Sequence, residues 1–281
     1  MNNFVIRTLS GIVFVAAIVG GILYGPLTFC LLFAAITVVS TREFYTLVNT
    51  REDVQTNRSV GTVAGLYLFA AFAAFCTEAT NSSVFIPYLL MLIYILISEL
   101  YLKAPNPLNN WVYAFAGQLY VALPFALLNV LAFQHNPQVS MATFTPIYPL
   151  AIFIFLWAND SGAYCVGSLL HRKFPAKLFE RISPNKSWIG SIGGVAIVVL
   201  VALVLAQFDH NLSIIKWVGF GLVVSIFGTW GDLVESLIKR HLKTKDSGHF
   251  LPGHGGALDR FDSALLAIPA TILYLYTLRM F

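Results

Sequence analysis

Nine runs of about twenty consecutive, mostly apolar residues, separated by short polar loops, constrain this chain more than any other feature. They fall at about 5–23, 26–46, 60–77, 83–102, 111–133, 147–168, 188–207, 213–238 and 262–280. At ~1.5 Å rise per helical residue, each is long enough to cross the ~30 Å hydrocarbon core of a bilayer. The runs are continuously apolar instead of alternating, and backbone polar groups in lipid must be satisfied within the segment. Both facts require helices and exclude a barrel. Composition agrees: 58% of the 281 residues are hydrophobic and 11% are charged, where a soluble domain carries about 25% charged residues. The expectation is an all-α, polytopic integral membrane protein of about nine transmembrane helices. It forms one membrane domain over 1–281, with N-terminal helices at about 5–133 and the functional helices and loops at about 147–281. The first run lacks a small-residue cleavage site and reads as a retained span. Cys30, Cys76 and Cys165 lie in apolar runs without metal-ligand spacing and read as small hydrophobes.

Lys and Arg set the expected orientation. With the N-terminus in the cytoplasm, all of the 17 Lys and Arg except Lys216 and Arg279 fall inside, the asymmetry that the positive-inside rule describes. The two richest loops, 169–187 and 239–261, then face the cytoplasm, where nucleotides are available. A net charge of +4 is modest, and no nucleic-acid partner is expected.

Against this oily background the 32 residues from Gly231 to Asp262 hold ten charged side chains. Charge beside apolar spans is costly to desolvate and marks function by default. Asp232, Glu235, Ser236 and Lys239 recur at helical spacing and share one face. Beyond them come Arg240, Lys243, Lys245 and Asp246, then the glycine-rich Pro252-Gly253-His254-Gly255-Gly256, then Asp259-Arg260-Phe261-Asp262. Interleaved cations, carboxylates and a glycine-rich turn suit a polyphosphate with a divalent metal. Amides, Lys and Arg hold phosphate oxygens while carboxylates hold the ion. Asp232 and Asp259, on two helices, would clamp one or two metal ions. Asp262 either joins them or caps the last helix.

Two further places carry polar groups at membrane depth. Asp160 follows an unbroken apolar run, and either serves the site or makes an interhelical contact. Ser183, Pro184, Lys186 and Ser187 precede the seventh run, where Lys186 at a helix N-terminus offers an anion site. Arg42-Glu43 reads as a local ion pair. His249 and His254 lack the companions that zinc requires.

These residues resemble a family. Ser236 to Arg240, Lys245-Asp246, Gly248, Leu251-Pro252, His254-Gly255-Gly256, Asp259-Arg260 and Asp262 are similar to the signature of the phosphatidate cytidylyltransferases, or CDP-diacylglycerol synthases. Asp160 to Tyr164, with Ser183, Pro184, Lys186, Trp188 and Gly190, resembles that family's second polar region. Three positions depart from it: Asn185 stands where Lys is usual, Ile189 where Glu is usual, and Ala257 where a bulky aliphatic is usual. The resemblance implies a cytoplasmic-membrane enzyme that converts CTP (or dCTP) and phosphatidic acid into CDP-diacylglycerol and pyrophosphate. It implies Mg²⁺, with K⁺ beside it, on Asp232 and Asp259, and a homodimer. Lys239, Arg240, Lys245, Asp246 and Arg260 would serve catalysis, with Ser183, Pro184, Lys186, Asp160, Glu235, Ser236, His254, Gly255 and Gly256 on the substrates. The competing expectation is a cation-coupled transporter that uses Asp160 and Asp232 as its relay. It gains nothing from a phosphate-like loop outside the bilayer.

Overall fold

The computed structural model describes residues 3–136, 138, 140–248 and 255–278. Ten α-helices account for most of them: α1 Asn3–Leu23, α2 Pro26–Val48, α3 Arg58–Cys76, α4 Ile86–Tyr101, α5 Pro107–Ala116, α6 Leu123–Ala132, α7 Ile147–Leu170, α8 Trp188–Leu205, α9 Ile214–His241 and α10 Leu258–Thr277. A π-helical turn, Gly117–Ala122, joins α5 to α6 in one continuous rod. Two small antiparallel hairpins interrupt the helices, β1 Phe133–Asn136 with β2 Met141–Phe144, and β3 Lys177–Phe179 with β4 Ser183–Ser187.

Seven helical segments among the described residues are long and apolar enough to cross a membrane, not nine. They are α2, α3, the 3₁₀ turn running into α4, the α5–α6 rod, α7, α8 and α9. The described apolar part of α1, Thr8–Leu23, is too short to be counted. Helix α10 is not counted either; it starts on Asp259, Arg260 and Asp262 and carries Pro269. Large apolar side chains stand exposed, Leu100 at 74% and Ile215 at 83% among them. Water would penalise that surface, and a lipid solvent accepts it.

The chain divides into two compact units. One comprises Met1–Pro146 with Leu242–Phe261, the other Ile147–His241 with Asp262–Phe281. In the first, a buried polar node ties three helical segments together. Tyr45 of α2 donates its hydroxyl to the Ala114 carbonyl at 2.7 Å, and the Gln118 amide donates to Tyr45 Oη and to the Gly61 carbonyl, each at 2.8 Å. Each of these groups would be costly to bury alone. A Cβ on Gly61 or Gly117 would collide with the Tyr45 ring, so both glycines are demanded by close approach. The α2–α3 loop is pinned by Asn49, which accepts from the Thr56 amide at 2.9 Å, and by an Arg51–Asp53 ion pair at 2.7 Å. The Arg51 guanidinium holds the Asp53 carboxyl below its ordinary range.

In the second unit, α7, α8 and α9 pack through small residues, as membrane helices do without a hydrophobic force between them. A Cβ on Gly162 would meet the Gly194 backbone, and one on Gly194 would meet the Asn159 carbonyl at 2.7 Å. Asn159 Oδ1 in turn accepts from the Ser225 hydroxyl at 2.5 Å, a polar tie from α7 to α9. Tyr148, Phe155, Trp217 and Phe220 form an aromatic cluster below it.

Candidate functional site

Each unit gathers its own polar centre. In the second unit it is built where α9 runs on past its apolar stretch. Helix α9 ends on Lys239, Arg240 and His241, cations that complement the negative C-terminal end of a helix. The shared face expected of Asp232, Glu235, Ser236 and Lys239 resolves into two contacts. Ser236 Oγ donates to Asp232 Oδ1 at 3.2 Å, and Lys239 Nζ pairs with Glu235 at 2.8 Å. The Glu235 side chain is 1% exposed and that of Lys239 14%, so this pair lies inside the protein and the carboxylate needs its cation.

Asp232 faces elsewhere. Its Oδ2 lies 2.5 Å from Nζ of Lys186, both side chains being about a third exposed. Lys186 belongs to β4, and Ser187 beside it caps α8 by accepting from the Gly190 amide at 3.2 Å. The hairpin thus delivers a cation to a carboxylate of α9. Next to it is a cleft of ≈ 690 Å³ whose lining includes Asp160, His171, Lys177, Ser183, Asn185 and Lys186. Ligand clefts fall in the range of about 300–1,000 Å³, and this one has a cationic wall. Asp160, expected near the site from sequence, lines it.

Asp262 lies in the same unit. Its Oδ1 accepts from the next amide, Ser263, at 2.6 Å. Gly231 permits α9 to approach α10 here: a Cβ on it would sit 2.5 Å from the Asp262 carbonyl and 3.0 Å from Ser263 Cα.

The first unit holds the other half of the signature segment. Asp259, at the start of α10, accepts through Oδ2 from the Gly256 amide at 2.8 Å and from the Ser247 amide at 2.9 Å. Its own amide donates to Ser247 Oγ at 3.3 Å. Gly255 takes φ +84°, and a Cβ there would come 2.7 Å from Asp259 Oδ2, so this turn requires glycine twice over. Glu43 does not turn to Arg42, as its position in sequence suggested. It reaches the Leu258 amide at 2.9 Å and the Ser247 hydroxyl at 3.4 Å. Sequence reasoning read this residue only as a partner of Arg42 and missed its contacts with Ser247 and Leu258. Lys245 and Asp246 stand exposed in the loop before Ser247. His254, with His249, Leu251, Pro252 and Gly253, lies outside the described residues.

Among the described residues no group of three or more His, Cys, Asp or Glu converges as a ready-made metal cage. Mg²⁺ does not require such a cage, since it keeps several waters and takes one or two carboxylates together with substrate phosphates. Hard oxygen donors backed by lysines suit that ion and not zinc.

The model of the cytidylyltransferase family matches residues 5–278 of the chain. A protein of Staphylococcus aureus (strain COL) named phosphatidate cytidylyltransferase is 46% identical over 123 residues, 43% of this chain and 46% of that protein. Proteins of the same name from Staphylococcus haemolyticus (strain JCSC1435) and Staphylococcus epidermidis (strain ATCC 12228) are 47% and 46% identical over the same share of each chain. The aligned stretch spans about half the length of these curated relatives.

Proposed function

The chain belongs to the cytidylyltransferase family, and from that premise we propose that it transfers a cytidylyl group from CTP to phosphatidic acid, giving CDP-diacylglycerol and pyrophosphate. The observation that supports this most directly is the Lys186–Asp232 pair, whose lysine lines the cleft together with Lys177. It offers a carboxylate already engaged with a cation and an ammonium ready for a phosphate. The relatives named phosphatidate cytidylyltransferase supply the acceptor.

In this reading a phosphate oxygen of phosphatidate attacks the α-phosphorus of CTP in line. The new P–O bond forms as the bond to the β-phosphate bridging oxygen breaks, and pyrophosphate leaves with that electron pair. The lipid phosphate is ionised at neutral pH, so no general base is required. The protein's work is positioning and charge neutralisation. Lys186 takes the phosphate of the lipid, with Ser183 and Pro184 shaping the hairpin around it. Lys239, Arg240, Lys245 and Arg260 neutralise phosphate oxygens. Glu235 orients Lys239, and Asp246 balances the cations beside it. Asp232 and Asp259 are each proposed to bind Mg²⁺, Asp232 with Asp262 near it. Bound Mg²⁺ would offset charge developing on the triphosphate. The same reading includes K⁺ as a second ion, a homodimer, nine spans when α1 and α10 are added, and a cytoplasmic active face in the cell membrane.

The test supplies purified protein with phosphatidate and radiolabelled CTP, with and without Mg²⁺, and follows labelled lipid. Removing an electrostatic group of this kind costs about 10²–10³ in rate, so Asp232→Asn and Asp259→Asn should lose at least that while remaining monodisperse in detergent. Near-wild-type turnover by either variant would overturn the metal assignment.

A further inference from the structure

We propose that Glu43, far from the signature segment in sequence, is a positioning residue that clips the Asp259 turn in place; the catalytic meaning of this clip rests on the role given to Asp259 above. The first amides of a helix have no partner within it and are usually met by a Ser, Thr, Asp or Asn at the cap position. Helix α10 has Ala257 there, which offers no side-chain acceptor. Glu43 Oε2 takes the place of that cap from α2, accepting from the Leu258 amide at 2.9 Å. A carboxylate is also the favoured charge at a helix N-terminus. The same oxygen accepts from Ser247 Oγ at 3.4 Å, and Ser247 Oγ accepts from the Asp259 amide at 3.3 Å. One carboxylate thereby holds both Ser247 and the first turn of α10.

A separate observation points the same way. Gly248 and Gly256 both face Glu43: a Cβ on Gly256 would sit 2.5 Å from Oε2, and one on Gly248 would collide with Oε1. Two glycines of the signature thus make room for a side chain more than two hundred residues away in sequence, 204 from Ser247 and 215 from Leu258. With Glu43 in place, Asp259 Oδ2 stays tied to the Gly256 and Ser247 amides, and the carboxylate is fixed in direction. A misplacement of about 1 Å can cost ~10²-fold in rate.

The experiment compares Glu43→Ala, Glu43→Gln and Ser247→Ala in the full-length protein in nanodiscs. Amide hydrogen exchange in peptides containing Ser247 and Leu258 should quicken at least ~10-fold in Glu43→Ala, since exchange reads local opening. It should stay near wild type in Glu43→Gln, whose amide oxygen still accepts. In turnover, Glu43→Ala should lose about 10–100-fold in kcat with a several-fold higher Mg²⁺ requirement and an unchanged KM for phosphatidate. Ser247→Ala should show the same pattern more weakly. Unchanged exchange in Glu43→Ala overturns the clip. Quickened exchange with an unmoved Mg²⁺ requirement overturns its link to Asp259. If wild-type protein makes no labelled lipid, the proposed reaction falls while the exchange measurement still decides the clip.

Discussion

Lys186 and Asp232 are too solvated to matter much for stability. With 28% and 30% of the side chains exposed, such a pair is worth about 0–1 kcal/mol after screening and side-chain entropy. The position of its lysine on a cleft is better explained by exchange: an incoming phosphate takes the ammonium while an incoming cation takes the carboxylate. Lys186→Met and Asp232→Asn should then be strongly non-additive. Each should lose about 10²-fold or more in kcat/KM, and the double variant should fall short of the product of the two by a coupling of ~0.5–3 kcal/mol. A kinetic double-mutant cycle measures this, and strict additivity would mean that the two act separately. Both residues were legible in the sequence because each is a charge within or bordering an apolar run. Glu43 was not: hydropathy flags it only as a charge beside Arg42, and its partners become visible when the chain folds.

Helix α9 illustrates what an element demands that its hydropathy does not reveal. The apolar run at 213–238 announced the span, and Ile214–His241 is the helix observed. Gly231 has a reason that lies in α10. A Cβ there meets backbone, the Asp262 carbonyl at 2.5 Å, and backbone cannot rotate away. Overpacking of this kind costs about 1–3 kcal/mol, so Gly231→Ala should lower the thermal unfolding midpoint in detergent by several degrees and displace Asp232. Gly20 in α1 has nothing within 4 Å of its Cβ position. Gly20→Ala should be neutral or stabilising by up to about 1 kcal/mol, as alanine is the better helix former. Equal effects at the two sites, read by thermal melts of both variants, would show that close approach does not explain Gly231. The hairpins escaped sequence reading for another reason. Strands of three to five residues, such as Lys177–Phe179 and Ser183–Ser187, are too short to display alternation. Yet β4 is what carries Lys186 to Asp232.

For the whole molecule, the apolar runs made a polytopic membrane protein legible, while the count of spans depended on details that hydropathy blurs at α1 and α10. The orientation expected from the distribution of Lys and Arg is testable at one well-defined candidate span. Helix α8, Trp188–Leu205, is the most apolar span, with a mean hydropathy of 2.6 and no Asp, Glu, Lys or Arg. Arg172 precedes it in a basic loop and Ser213 follows it in a loop with few cations; both are exposed. If α8 crosses the bilayer with the basic loop inside, these two positions must lie on opposite faces. Replacing Cys30, Cys76 and Cys165 with Ala and introducing Arg172→Cys or Ser213→Cys singly gives a direct measurement with a membrane-impermeant maleimide. The Arg172→Cys protein should label in inside-out vesicles and be protected in intact cells, and the Ser213→Cys protein should do the reverse. Labelling of both from one face would remove α8 from the spans. The reverse pattern would turn the molecule over, placing the basic loops away from the cytoplasm and from CTP, and so would count against the proposed reaction as well as the orientation.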